Sequence, residues 1–262
     1  MRIAALIALL LASTLVHAAI KIEPVEYVAG GVKMKGTLAY DDAVTGKRPG
    51  VLVVHEWWGH NQYSRYRAKL LAEMGYTALA VDMYGDGKTA EHPKEAGEFS
   101  AAVNKDPAAR KARFAAAKDF LAKQPSVDAA NVAALGYCFG GGVVLNMARE
   151  GIPLKAVISY HGALAADKPA RKGAVKAKLL VFTGAADPMA PAEAVKGFEK
   201  EMKAAKADFR VVSYPGVKHA FTNPMADRYA EKFDLPLAFD KAADEDSWKQ
   251  TGEFLKSVFS VR

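Results

Sequence analysis

The sequence has one cysteine in 262 residues, so no disulfide can form within the chain. It also lacks a strong charge bias. The 36 Lys and Arg against 29 Asp and Glu leave +7 and a pI near 9.3, with the basic residues spread along the chain. No dense basic run interleaved with aromatics is present, which argues against nucleic-acid binding. Pro and Gly number 12 and 21, and 51% of residues are hydrophobic; these ordinary values exclude collagen-like, coiled-coil and disordered chains. After the N-terminal segment, no repeat, no Pro/Gly/Ser linker and no further apolar run of membrane length occurs.

What is present begins with an address. Met1-Arg2, the apolar run 3–11 and Val16-His17-Ala18 have the layout of a secretory signal peptide cut after Ala18. The run is too short to span a bilayer. Residues 1–18 are therefore expected to be removed, leaving 19–262 as one exported domain, periplasmic or secreted. In an oxidising compartment a lone cysteine is either buried and inert or reactive.

Beyond that point, short apolar runs alternate with helical patterns. Segments 22–28 and 33–40 read as a hairpin around Ala29-Gly30-Gly31. Runs at 50–54, 77–81, 132–137, 156–160, 179–183 and 209–214 are apolar enough to be strands covered on both faces. Asn61 caps a helix ended by Gly75, and Asp106-Pro107 opens another. Further helices are expected over 140–149, 192–203 and 244–259. Such alternation predicts an α/β fold, a doubly wound, mostly parallel sheet with helices on both faces and its chemistry at the strand C-termini.

Gly136-Tyr137-Cys138-Phe139-Gly140 lies between a buried strand and a helix. That is the pattern of a nucleophile elbow with Cys in place of Ser, and the helix N-terminus beside the sulfur favours thiolate. A nucleophile needs a base, and the base an orienting acid. Asp187 follows strand 179–183 and His219 follows strand 209–214, giving the order nucleophile, acid, histidine.

These residues, with Gly184-Ala185-Ala186-Asp187, His219-Ala220-Phe221 and His55-Glu56-Trp57-Trp58-Gly59, resemble the dienelactone hydrolase family of the α/β-hydrolase fold. The resemblance implies ester or lactone hydrolysis by a Cys138-His219-Asp187 triad. It implies an oxyanion hole from the backbone N–H groups of Trp57 and Phe139, and Glu56 in contact with the resting thiol. It also implies two substrate-carboxylate arginines, which the sequence lacks: Asp82-Met83-Tyr84 is followed by Gly85-Asp86, and Asn223 stands four residues after His219. A neutral substrate is therefore expected. Trp58, Tyr84, His161 and Phe221 are expected to line its pocket.

Competing motifs are weaker. His55 and His60 are five apart after a strand, whereas the zinc-protease motif needs histidines four apart on a helix. Gly140-Gly141-Gly142 lacks the rest of a dinucleotide fingerprint, and the basic stretch from Lys168 to Lys178 reads as a solvated loop. No metal and no cofactor is expected. The expected partner is a small-molecule ester or lactone, without nucleic acid or integral membrane contact, and the chain is read as a monomer rather than an oligomer. The other readings are a non-catalytic binding or thiol-redox protein on the same fold, and an acyl transferase.

Overall fold

The computed structural model describes residues 20–259. The expected signal peptide, residues 1–18, lies outside them.

Two long strands, β1 (Ile20–Ala29) and β2 (Val32–Asp41), form an antiparallel hairpin, and the tight turn at Gly30-Gly31 needs the positive φ of both glycines. Strands β3 (Arg48–Val54), β4 (Thr77–Val81), β5 (Val127–Tyr137), β6 (Ala156–Tyr160), β7 (Lys178–Gly184) and β8 (Phe209–Tyr214) complete one sheet in the order β1-β2-β4-β3-β5-β6-β7-β8. From β4 to β8 every neighbouring pair is parallel, and only the β1–β2 and β2–β4 pairs run antiparallel. The expected mostly parallel sheet is thus present, with an antiparallel hairpin at one edge.

The central strands are apolar throughout because helices cover both faces. Alternate residues divide between them. Val51, Val53, Ala133, Leu135, Ile158 and Leu180 pack with Leu71 of α1 (Gln62–Glu73) and Leu255 of α7 (Lys241–Phe259). Leu52, Val54, Ala134, Val157 and Val181 pack on the other face. There they meet Phe114 of α3 (Pro107–Ala122), Val144 of α4 (Phe139–Arg149) and Phe198 of α5 (Ala192–Ala205). Asn61 accepts from the N–H groups of Tyr63 and Ser64, and Asp106 from that of Ala109, so both sequence-expected caps form.

Two helices were not expected from the sequence. In α2 (Pro93–Lys105) only Ala96 and Val103 are buried, and in α6 (Ala226–Phe233) only Ala226 is. The apolar residues of α6, Ala226, Tyr229, Ala230 and Phe233, keep helical spacing but span only eight residues, short of the roughly 11–18 over which periodicity is read, and α2 carries only Ala96, Phe99 and Val103 at such spacing.

Candidate active site

The site forms where the loops after β3, β5, β7 and β8 meet. β5 runs directly into α4 with Cys138 between them at φ 51°, ψ −114°, a conformation an L-residue adopts only under tertiary constraint. A Cβ on Gly136 would stand 2.2 Å from the Gly140 carbonyl oxygen, and one on Gly140 2.4 Å from that of Val54. Both positions are therefore closed to any side chain. The Cys138 N–H donates to the Tyr160 carbonyl (3.0 Å) and to Nδ1 of His161 (3.2 Å), which ties the strained residue to the end of β6.

His161 itself sits at φ 39° and is buried. Because its Nδ1 accepts from an N–H, its Nε2 carries the proton and donates to the Thr222 hydroxyl (2.9 Å). Burial and the nearby His219 charge keep the ring neutral, well below the ordinary histidine range. Its centroid is 5.0 Å from that of His219. His161 is thus a brace between Cys138 and the His219 loop.

Asp187 and His219 are brought together by the pairing of β7 with β8, whose continuing loops are stitched by Ala185 N–H to Tyr214 C=O (2.8 Å) and Ala186 N–H to Val217 C=O (3.0 Å). His219 Nδ1 lies 2.8 Å from Asp187 Oδ2, while Oδ1 accepts from the Met189 N–H (2.7 Å). With Nδ1–H held by the carboxylate, Nε2 faces inward, buried and without a hydrogen-bond partner among the described residues. Burial disfavours the imidazolium, but the neighbouring Cys138 sulfur and the Asp187 carboxylate outweigh it and raise His219 to about 10. The free Nε2 of this raised imidazole thus faces the same cavity as the Cys138 sulfur.

The loop after β3 supplies the opposite wall. Nε2 of buried His55 accepts from the Met83 N–H (3.2 Å), so its Nδ1–H donates to the Glu56 carbonyl (2.5 Å), which also accepts from the Gly59 N–H (3.2 Å). Those two bonds fix the peptide whose other end is the Trp57 N–H. Neither that N–H nor the Phe139 N–H meets an acceptor among the described residues. Desolvation holds His55 down to about 4, so it is a neutral, fixed strut.

A cavity of about 70 Å³ joins these pieces, lined by Glu56, Trp57, Trp58, Cys138, Met189, His219, Ala220, Asn223, Tyr229 and Leu237. Of the four residues expected to line the pocket, only Trp58 does. Tyr84 lies behind the wall, its hydroxyl donating to the Trp57 carbonyl (2.8 Å), and Phe221 is fully buried beneath His161 and Tyr214. His161 is the brace described above. Glu56 is 3% exposed and burial pushes its carboxyl up to about 7, against the Asn223 hydrogen bond and the His219 charge. The Asn223 side chain is oriented without ambiguity, since its Oδ1 accepts from the Met225 N–H (2.9 Å) and its Nδ2 donates to Glu56 Oε2 (2.6 Å). The other carboxyl oxygen makes no hydrogen bond among the described residues. The recorded partner of Glu56 is therefore Asn223 rather than the thiol.

No lysine or arginine lines this cavity among the described residues. Asp86 is exposed in a loop organised by Asp82, whose carboxylate accepts from the N–H groups of Lys35, Tyr84, Gly85 and Gly87. Sequence reasoning missed Met189, Tyr229 and Leu237 as lining residues, and noted Asn223 only as a missing arginine.

Against known proteins, the sequence profile of the dienelactone hydrolase family matches residues 34–259. The chain belongs to the dienelactone hydrolase family. As a member of it, the protein is a hydrolase of the carboxylic ester and lactone class, and its fold is that of the α/β hydrolases. The crystal structure of a dienelactone hydrolase-like promiscuous phosphotriesterase from metagenomic libraries superposes with a TM-score of 0.87 at 33% identity, over 92% of this chain and 99% of that one. Protein usf of Aquifex pyrophilus is 28% identical, covering 90% of this chain and 98% of its own. A Yersinia pestis protein named "putative carboxymethylenebutenolidase" is 28% identical over 73% of this chain and 75% of that one.

Proposed function

We propose that the protein is an exported cysteine hydrolase that cleaves small, uncharged esters or lactones through Cys138, His219 and Asp187. The observation that carries this reading is the strained Cys138 opening into the same cavity as the inward Nε2 of His219, with Asp187 holding the ring from behind.

The Cys138 thiolate attacks the carbonyl carbon, forming an S–C bond and moving the π electrons to oxygen. The Trp57 and Phe139 N–H groups receive that oxyanion. Collapse breaks the C–O bond, and the departing alkoxide takes the proton from His219 Nε2. Water then attacks the thioester while His219 accepts its proton; the C–S bond breaks, releasing the carboxylic acid and returning the sulfur and the protonated His219 for the next cycle. Asp187 holds the tautomer throughout. Glu56 guards the thiol: its carboxylate on the same cavity wall disfavours a second negative charge on the sulfur while no substrate is bound. With no lysine or arginine on the wall to clamp it, a substrate carboxylate would lie in a largely apolar cavity beside Glu56, so neutral substrates are favoured.

Turnover of p-nitrophenyl acetate by the purified protein, lost in Cys138→Ala, is the expected result; stoichiometric binding without turnover would favour a non-catalytic or thiol-redox protein, and product diverted to added alcohols an acyl transferase. The same wall, without lysine or arginine, favours a second substrate class, neutral phosphotriesters, in line with the name of the metagenomic relative. Release of p-nitrophenol from a neutral aryl phosphotriester, dependent on Cys138, tests it. Export rests on the sequence of residues 1–18, and N-terminal sequencing of the exported protein should begin at Ala19.

A further inference from the structure

The cavity is small. It offers about 70 Å³, far less than a pocket that buries a drug-sized ligand, at roughly 300 Å³ or more. Which wall sets that limit follows from how each lining residue is held.

Trp58 is 3% exposed and packs against Ala90 and Ala96, so it is a fixed floor. Leu237 is buried and lies on the segment bridged to the catalytic histidine, the Ala238 N–H donating to the His219 carbonyl (3.1 Å). Met189 is 48% exposed and flanks the mouth rather than closing the cavity. Tyr229 differs from all three. It rides on α6, an eight-residue helix with one buried residue, and its half-buried ring lies 4.5 Å from the Trp58 ring at 30°. Other ties of α6 are the Phe233 ring, 6.2 Å from Trp58 and 5.2 Å from His92, Ala226 packed with Ala220 and Leu237, and Asp227, whose Oδ1 accepts from the Phe239 N–H (2.9 Å). The Phe233 contacts and the Asp227 bond do not involve Tyr229 and would hold α6 without its ring.

We propose that Tyr229, stacked on Trp58, is the specificity-determining residue that restricts the enclosed part of the substrate to a short acyl chain. The proposal rests on the hydrolase reading and narrows its substrate class to neutral short-chain esters, with the alcohol portion projecting past Met189 to solvent. Removing the ring takes away one wall of the cavity while leaving the backbone of Glu56, Trp57, Cys138 and His219 held by bonds that do not pass through α6.

The test is kcat/KM across p-nitrophenyl acetate, butyrate, hexanoate and octanoate for the full chain, Tyr229→Ala, Tyr229→Leu and Tyr229→Phe. The wild type should lose at least tenfold from acetate to octanoate. Tyr229→Ala should recover at least fivefold of the octanoate-to-acetate ratio, while Tyr229→Phe, which keeps the ring, retains the wild-type profile. If Tyr229→Ala does not fold, judged by its circular dichroism, Tyr229→Leu is held to the same criterion. A chain-length profile that is flat in the wild type, or unchanged in the shortened variants, overturns the proposal while leaving the hydrolase reading intact. Absence of turnover with every ester, acetate included, overturns the hydrolase reading instead.

Discussion

Replacing Glu56 by Gln should make the protein more stable, and only at neutral and alkaline pH. The carboxyl is buried, and burial raises it from 4.5 to about 7. A group whose folded-state value lies above its unfolded value favours the folded state fully below the unfolded value, and that contribution is lost as pH rises through the folded one. Stability due to Glu56 therefore falls between about pH 4.5 and pH 7, because the folded chain must hold a carboxylate that the unfolded chain ionises freely in water. The gap, at about 1.4 kcal/mol per pH unit, is worth on the order of 3 kcal/mol. Glutamine keeps the shape and can still accept from Asn223 Nδ2, but it never ionises. Urea unfolding of the two proteins, followed by circular dichroism from pH 4 to pH 8, measures the difference directly. Near pH 4 the two should agree within about 1 kcal/mol, since an amide and a protonated acid are close isosteres. By pH 8 the variant should lead by about 3 kcal/mol, or roughly 6–12 °C in Tm for a domain of this size. A difference independent of pH, or one that favours the wild type at pH 8, would refute the burial argument.

Three further outcomes follow from the site. Asp187→Asn should leave the thiol in place but cost three to four orders of magnitude in kcat, because the amide no longer fixes the His219 tautomer; stopped ester assays and thiol titration read the two separately. Glu56→Gln should accelerate iodoacetamide labelling of the resting enzyme near neutral pH, and unchanged or slower labelling would contradict the guard role of Glu56. A neutral lactone should be preferred over its carboxylated analogue of equal ring size by tenfold or more in kcat/KM, since no lysine or arginine lines the cavity; a preference for the carboxylated compound that weakens with salt would reverse that reading.

Local chemistry made much of the architecture legible. Buried strands such as 50–54 and 77–81 are apolar on both faces, and the caps Asn61 and Asp106 carry their own start signals. Cys138 stood out because strain of that kind needs Gly136 and Gly140 beside it, and Asp187 and His219 because each follows a strand end. Direction is what periodicity does not encode. His161 and Phe221 also follow strand ends, yet a φ of 39° turns the His161 ring under the Cys138 N–H and away from the cavity. The Asn223–Glu56 bond joins residues 167 apart and leaves no local signature. Tyr229 lies on a helix of only eight residues, too short for its spacing to stand out, so the residue that narrows the cavity was invisible until the chain was folded.

The central claim is that the Cys138 sulfur forms the acyl-enzyme. Rapid quenching of the enzyme with p-nitrophenyl acetate in acid, followed by peptide mass spectrometry, tests it most directly. An acetyl group on the peptide containing Cys138, lost on incubation with neutral hydroxylamine and absent from Cys138→Ala, is the result expected of a thioester. Acetyl on another residue during turnover, or full turnover by Cys138→Ala, would contradict the account.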